Sequence, residues 1–287
     1  MIKLGIIGAE NSHSFAIGKT CNIDRAVPMR VPVIWGETKT FAKVAMEKGG
    51  IPEAVRDWRE MLGRVDAVMI DHRHPALHVE PAEFFIEHGV PVFVDKPLAY
   101  RLRDAIRLVD RAAKKQVPLT TFSGIPIQPS FQEFKKSLGK IGPIRAVQST
   151  GPVDIRSRWG GIYFYGIHQI DAIVDLLGTE AHSVFVHARG PQAVASVVYK
   201  GGALATMNCI PEGGGGFHWT VCGDKAIVTL KHEYTGNPYL TSARRIYQLA
   251  KSRKNAFSRD RMLAPVAILQ AMDVSLKTGR PVRVPKY

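Results

Sequence analysis

The sequence is poor in cysteine and lacks any long apolar run. Its 287 residues include only three cysteines, Cys21, Cys209 and Cys222, which are too few and too scattered for a disulfide framework or a cysteine-rich zinc site. No stretch approaches the roughly 20 apolar residues of a membrane-spanning helix. The apolar start of the chain is shorter than the core of a signal peptide. We therefore expect a cytoplasmic protein with no membrane partner.

Acidic residues are scarce relative to basic ones. The chain has 39 Lys and Arg against 25 Asp and Glu, a formal net charge of +14, and such an excess attracts polyanions. Many of the basic residues fall between positions 244 and 261, but that segment also has an apolar side that includes Ile246 and Leu249. This pattern is typical of an amphipathic helix with a solvated basic face. Since no nucleic-acid recognition motif accompanies the charge, nucleic acid is not the expected partner.

The first 122 residues alternate short apolar runs with segments of helical periodicity. Because buried parallel strands are apolar throughout, this alternation predicts βαβ units and a Rossmann-type parallel sheet. The predicted strands cover residues 3–7, 31–35, 67–70, 92–94 and 119–122. The predicted helices cover residues 40–48, 54–62, 76–88 and 103–115. We assign residues 1–122 to a dinucleotide-binding domain of the α/β class.

The pattern changes at residue 123. A short helix is predicted at residues 131–138, and two hairpins at residues 194–210 and 219–230, with glycines 213–216 forming a loop between them. Residues 123–287 are therefore predicted to form an α+β domain with a mostly antiparallel sheet. We assign it to substrate binding and oligomerisation, since an open sheet exposes a broad face through which a homodimer or homotetramer could assemble.

The start of the chain places a glycine directly after the first predicted strand, where a dinucleotide fold has its phosphate loop. If Gly8 is the first glycine of a G-x-G-x-x-G motif, Glu10 and His13 occupy the positions of the second and third. Asn11 and Ser12 are predicted to cap the following helix, to donate hydrogen bonds to phosphate, or both. We count all five residues as candidate cofactor contacts.

An acid follows the second predicted strand. Glu37 lies where a carboxylate accepts hydrogen bonds from the adenosine ribose and favours NAD over NADP. It is 29 residues beyond Gly8 rather than about 20, and Lys39 lies nearby, so NADP remains an alternative cofactor.

The sequence Asp95-Lys96-Pro97 directly follows a buried strand. Open α/β sheets bind ligands at the carboxyl ends of their strands. An ammonium at this edge can hydrogen-bond a substrate oxygen and stabilise the negative charge that develops on it during hydride transfer. The alternative is a surface lysine paired with Asp95. We consider Lys96 a catalytic candidate, with Asp95 beside it in the cofactor site.

A second catalytic candidate comes from the other predicted domain. His168 and Asp171 are three residues apart in an apolar helical segment closed by Gly178, so they share one helix face and the acid can orient the imidazole. A capped helix with an ordinary hydrogen-bonded histidine is the alternative.

Taken in order, these motifs resemble the Gfo/Idh/MocA oxidoreductases, which pair an N-terminal Rossmann domain with a C-terminal α+β domain. The resemblance extends over nearly the whole chain. It rests on the opening Gly-Ile-Ile-Gly, on Pro75 and His78, on Asp95-Lys96-Pro97 where the family has Glu-Lys-Pro, on residues 140–142, on Gly166-x-His168-x-x-Asp171, and on residues 275–282.

The resemblance implies an NAD(P)-dependent dehydrogenase or reductase that acts on a sugar, polyol or related hydroxy compound, with Lys96 and His168 in the catalytic roles. Two positions depart from the family pattern: Glu10 replaces a fingerprint glycine, and Phe164 replaces a common aspartate. Tyr163, or alternatively Tyr165, could substitute as proton donor if Lys96 lowers the phenol pKa. The alternative function keeps the fold without ordinary redox turnover, as a metal-assisted or lyase-type enzyme or a sugar-binding protein.

Several potential ligand residues are expected at the same sheet edge: Glu10, His13, Asp71, His72, His74 and Asp95. We interpret Asp71 and His74 as cofactor contacts and predict no metal, although this many nitrogen and oxygen donors leave a divalent ion as an alternative.

Overall fold

The computed structural model describes residues 1–212 and 215–287, which form two compact units. The first comprises Met1–Ala99, Arg103–Phe122 and Gly236–Arg259, and the second comprises Tyr100–Leu102, Ser123–Thr235 and Asp260–Tyr287. The sequence-based boundary placed residues 236–259 in the second domain. They join the first unit because their helix buries Ile246 and Leu249 there. Two of the glycines predicted as a loop, at positions 213 and 214, lie outside the described residues.

Thirteen strands are found in the described part of the chain. In chain order they are Ile2–Ile7 (β1), Met29–Trp35 (β2), Glu53–Ala54 (β3), Ala67–Ile70 (β4), Val92–Val94 (β5), Leu119–Thr120 (β6), Ile144–Gly151 (β7), Ala181–Arg189 (β8), Gln192–Tyr199 (β9), Leu204–Cys209 (β10), His218–Gly223 (β11), Ile227–Lys231 (β12) and Val282–Arg283 (β13).

The α-helices of the described residues are Ser12–Gly18 (α1), Lys39–Gly49 (α2), Val79–Glu87 (α3), Leu102–Lys115 (α4), Pro129–Ser137 (α5), Tyr163–Leu177 (α6), Leu240–Ser252 (α7) and Arg259–Thr278 (α8). Shorter helical turns cover Lys19–Ile23, Trp58–Met61, Pro75–Leu77 and Leu138–Lys140. No described helix combines the length and apolarity needed to cross a bilayer.

The first unit contains a six-stranded parallel sheet in the order β3-β2-β1-β4-β5-β6. Its central strands are buried along their length, as the apolar runs predicted. The predicted Rossmann-type sheet is confirmed. β1 lies at the centre of the sheet, with β2 on one side of it and β4 on the other. Because all strands are parallel, the carboxyl ends of β1, β4 and β5 meet at one edge.

One predicted helix of this unit is wrong. Residues 54–62 form the end of β3 and a short 3-10 turn rather than a helix. The segment pairs with β2, where Val33 aligns with Glu53, and then turns through a capping box in which Asp57 and Glu60 each accept from the other's backbone N–H. Strand pairing and a capped turn satisfy the backbone groups that a helix would have used.

The second unit contains a seven-stranded sheet in the order β12-β11-β7-β10-β9-β8-β13. Its neighbouring strands are antiparallel except β7 and β10, which run parallel, so the predicted mostly antiparallel sheet and both hairpins are confirmed. Side chains alternate between the two faces of a strand. One face is buried with Val197, Met207 and Trp219, whereas Val194 and Leu204 are each 50% exposed on the other.

Candidate active site

At the carboxyl edge of the first sheet, Gly8 directly follows β1 in a conformation that only glycine adopts readily. Its φ is +109°, and a Cβ there would lie 2.7 Å from the backbone C of Asp71 and from the backbone N of His72. Its N–H donates to the Trp35 carbonyl at 2.9 Å. Gly8 therefore lets the loop after β1 pass directly against the end of β4, as the first glycine of a dinucleotide loop does.

Glu37, which follows β2, holds this loop from the other side. Its Oε2 accepts hydrogen bonds from the backbone N–H of Ala9 at 2.8 Å and of Glu10 at 3.1 Å. The predicted acid thus lies beside the loop, where a ribose hydroxyl could reach the carboxylate. The residues fit a dinucleotide at Gly8 and Glu37, while Glu10 places a side chain where the family motif has none.

Beyond this loop, five side chains form a connected polar group. Asn11 Nδ2 donates to Asp71 Oδ1 at 3.0 Å and to Asp95 Oδ2 at 3.1 Å, so a single amide bridges two carboxyl groups. His13 Nδ1 lies 3.2 Å from Asp95 Oδ1, and Lys96 Nζ lies 3.2 Å from Asp95 Oδ2. Asn11 also caps α1, with Ser12 as the first helical residue. The structure therefore brings together residues from three different predicted loops.

The two carboxyl groups of this network differ in charge. Burial, and then the negative charge of Asp95, raise the pKa of Asp71 well above its usual range. Burial alone would also raise the pKa of Asp95, but Lys96 and His13 bring it below the usual range. The pair therefore favours one ionised carboxylate, Asp95, which the ammonium neutralises, and one protonated carboxyl, Asp71.

The other histidines at this edge have structural contacts. His74 Nδ1 accepts from Ala76 N–H at 3.1 Å and caps the Pro75–Leu77 turn. His72 is buried, which lowers its pKa to about 3 and keeps it neutral. The buried ring of His78 lies between the carbonyls of His72 and Pro97, at 2.9 and 3.0 Å. It thereby ties the turn after β4 to the segment that carries Lys96.

Within the second unit, His168 is held by a residue that sequence reasoning missed. Its Nδ1 lies 2.8 Å from Ser123 Oγ. Asp171 Oδ2 accepts from the backbone N–H of that serine at 2.8 Å, and its Oδ1 accepts from Arg261 Nη1 at 2.5 Å. The expected contact from Asp171 to the imidazole thus runs through Ser123. The sequence signal was available, since Ser123 directly follows a predicted strand, but nothing marked Arg261.

Tyr163 differs from its predicted environment. The residue is 1% exposed, and its ring packs 4.7 Å from that of Tyr100. Burial raises its pKa, whereas the role of proton donor required a lowered one. The physical reason is that the first turn of α6 directs this side chain into the core. Phe164, the second departure from the family pattern, packs against Tyr165 at 4.8 Å between ring centroids.

The basic segment around α7 is amphipathic as predicted, with Ile246 and Leu249 buried. Its cations have local partners: Arg253 Nη2 donates to the Gly89 carbonyl at 3.0 Å, and Arg259 forms a two-bond pair with Asp110. These two arginines therefore form intramolecular contacts, as expected of basic residues that stabilise the fold.

Comparison with known proteins agrees with these features. Residues 2–123 match the sequence model of a family described as oxidoreductases with an NAD-binding Rossmann fold. YceM of Salmonella typhimurium is 33% identical over 151 residues, covering 51% of this chain and 48% of that protein. The myo-inositol 2-dehydrogenase of Thermotoga maritima is 29% identical over 219 residues, covering 71% of this chain and 63% of that enzyme. The chain thus matches less than two thirds of the length of either relative.

Among solved structures, the myo-inositol dehydrogenase of Lactobacillus casei in complex with NAD(H) and myo-inositol is similar to the whole chain. The TM-score is 0.84 at 16% identity, and the alignment covers 100% of this chain and 98% of that one. At this identity the similarity shows a shared fold.

Proposed function

Because residues 2–123 match the sequence model of the NAD-binding oxidoreductase family, we propose that the chain is a Gfo/Idh/MocA-type, nicotinamide-dependent dehydrogenase or reductase acting on a CH–OH group of a sugar or polyol. One observation carries the proposal. Lys96 follows β5 at the ligand-binding edge of the sheet, 7% exposed and 3.2 Å from an ionised Asp95. A lysine so deeply buried and so paired is unlike a surface lysine, the alternative that the sequence left open.

Lys96 would stabilise charge on the reacting oxygen. An ammonium carries three N–H donors, and Lys96 is proposed to direct one of them at a substrate hydroxyl or carbonyl. When that oxygen gains negative charge, a preorganised cation in a water-poor site lowers the barrier. Asp95 fixes the direction of the ammonium through its contact with Lys96 Nζ at 3.2 Å.

The dinucleotide would be held by the loop after β1 and by the ends of β2, β4 and β5. Gly8 supplies the close approach, and Glu37 is available to ribose hydroxyls, which favours NAD over NADP. The remaining proposed contacts are Glu10, Asn11, Ser12, His13, Asp71, His74, Asp95 and Lys96. When bound, nicotinamide supplies or accepts the hydride.

His168 is proposed as the general acid or base. The contact of its Nδ1 with Ser123 Oγ fixes the orientation of the ring, and proton transfer is proposed at Nε2. Asp171 acts as a positioning residue through the backbone of Ser123. Tyr163 is proposed to have a packing role in place of the proton transfer considered from the sequence.

The substrate class is proposed from the relatives, since the Thermotoga maritima protein is named for myo-inositol. A homodimer or homotetramer is proposed through the face of the second sheet that exposes Val194 and Leu204. Leu204→Lys should shift the mass measured by light scattering to that of a monomer. A monomeric wild-type protein at micromolar concentration would contradict the assembly.

A second candidate, the same fold without redox turnover, is favoured by one observation. The amide N–H groups of Ala9 and Glu10 already donate to Glu37, and the Glu10 carboxylate would repel a phosphate nearby.

Titration of the protein with NADH and NADPH, followed by nicotinamide fluorescence, separates the two candidates. We expect saturable binding with preference for NADH, and a shift of that preference towards NADPH in Glu37→Gln. Lys96→Ala should lower kcat by about 100-fold or more for any polyol that the wild-type protein oxidises, as loss of an oxyanion-stabilising group does. Lys43→Ala, whose side chain is 76% exposed, is the matched control. Failure of folded protein to bind either dinucleotide would favour the second candidate.

A further inference from the structure

The side chains His13, Asp71 and Asp95 form a compact set of potential metal ligands at the edge of the first sheet. One ligand atom from each lies within 4.8 Å of the others. His13 Nδ1 is 3.2 Å from Asp95 Oδ1 and 4.0 Å from Asp71 Oδ1. Ligands on one ion at bond lengths of about 2.1 Å stand roughly 3.0–3.4 Å apart, so the first distance fits already and the second requires a shift of under about 1 Å.

A second observation, at Asp71, supports a bound ligand independently of this clustering. The residue is fully buried, and its Oδ2 has no hydrogen-bond partner. Buried polar atoms are nearly always satisfied, so an unsatisfied one needs an explanation, and a bound ion is one that the neighbouring ligands of this carboxyl support. Burial and the charge of Asp95 raise the pKa of this carboxyl, a cost that a cation between the two carboxylates would reverse.

We propose that His13 Nδ1, Asp71 and Asp95 Oδ1 bind one divalent first-row transition ion of the zinc or manganese class. One imidazole and two carboxylates are a donor set that such ions accept, and three protein ligands leave positions open for water or a substrate hydroxyl.

The surroundings are built to orient these ligands. Asn11 Nδ2 donates to both carboxyl groups and holds them towards each other, as the hydrogen-bond partners of metal ligands do. Lys96 pairs with Asp95 Oδ2, so it leaves Oδ1 to face His13. The His13 side chain is 25% exposed, which provides an entry path from solvent.

The test uses the full chain, stripped with EDTA and titrated with Co²⁺, with the visible absorption of the bound ion as readout and Zn²⁺ as competitor. We expect one ion per chain, with Kd raised about 100-fold or more in His13→Ala and in Asp71→Asn, since loss of a ligand costs at least as much as loss of an orienting partner. Asp71→Asn preserves the shape of the protonated carboxyl, so it decides the matter if His13→Ala fails to fold.

His187→Ala, which removes an exposed histidine of β8, is the matched control and should leave Kd unchanged. Equal binding in all variants, or no stoichiometric binding by the wild-type chain, would overturn the proposal. The NADH titration repeated in EDTA keeps this result separate from the proposed redox function, because dinucleotide binding is expected there without the ion.

Discussion

The buried pair of Asp171 and Arg261 gives the sharpest test of how the second unit is held together. Their side chains are 4% and 15% exposed. Asp171→Ala would leave the guanidinium buried without its carboxylate and the backbone N–H of Ser123 without its acceptor. Breaking a buried pair in this way costs about 3–5 kcal/mol in the free energy of unfolding. Arg261→Met should cost a similar amount, because it leaves the carboxylate buried.

The double variant Asp171→Ala with Arg261→Met should be about as stable as either single variant, since no unpaired charge remains. The expected coupling therefore equals the cost of one single variant, about 3–5 kcal/mol, against about 0–1 kcal/mol for the exposed pair of Lys200 and Glu180. Urea unfolding followed by circular dichroism measures the four free energies of unfolding in each of the two cycles. Additive losses, or a cost for Asp171→Ala no larger than for Glu180→Ala, would refute the reasoning.

Two further predictions concern the first unit. Gly8→Ala should lower the free energy of unfolding by more than Gly63→Ala, because both residues have positive φ but only at Gly8 does the added Cβ meet backbone, at 2.7 Å. The Gly63→Ala control measures the conformational cost alone, about 1–2 kcal/mol. Equal urea midpoints for the two variants would contradict the predicted steric clash at Gly8. The free energy of unfolding of Asp71→Asn should increase relative to that of the wild-type protein as pH rises. A carboxyl whose folded pKa is raised binds more protons in the folded state, so wild-type stability falls as pH increases from about 4 through the folded pKa, and the amide removes this loss. A stability difference that stays constant between pH 5 and pH 8 would count against it.

The strand positions of the first unit were predictable because they depend on local composition. Residues 67–70 and 92–94 match β4 and β5 to the residue, since short apolar runs bounded by turn residues specify buried parallel strands. The region of residues 54–62 was mispredicted because its helical periodicity was outweighed by pairing with β2, an interaction between segments about 20 residues apart.

The candidate site was predicted in part for the same reason. Lys96, Asp71 and His13 were identified because the ends of parallel strands must meet at one edge. Their bridging by Asn11 and the different protonation of Asp71 and Asp95 could not be predicted, because both depend on distances of about 3 Å and on burial.

By itself, the sequence determined the two fold classes, the family resemblance and the edge at which the polar residues collect, since periodicity and strand-end position are properties of short segments. Only the tertiary structure decided which partners those residues take. Ser123 holds His168, Arg261 neutralises Asp171, α7 joins the first unit, and Tyr163 is buried. Each of these depends on the desolvation and contact of side chains far apart in the chain, which local pattern does not encode.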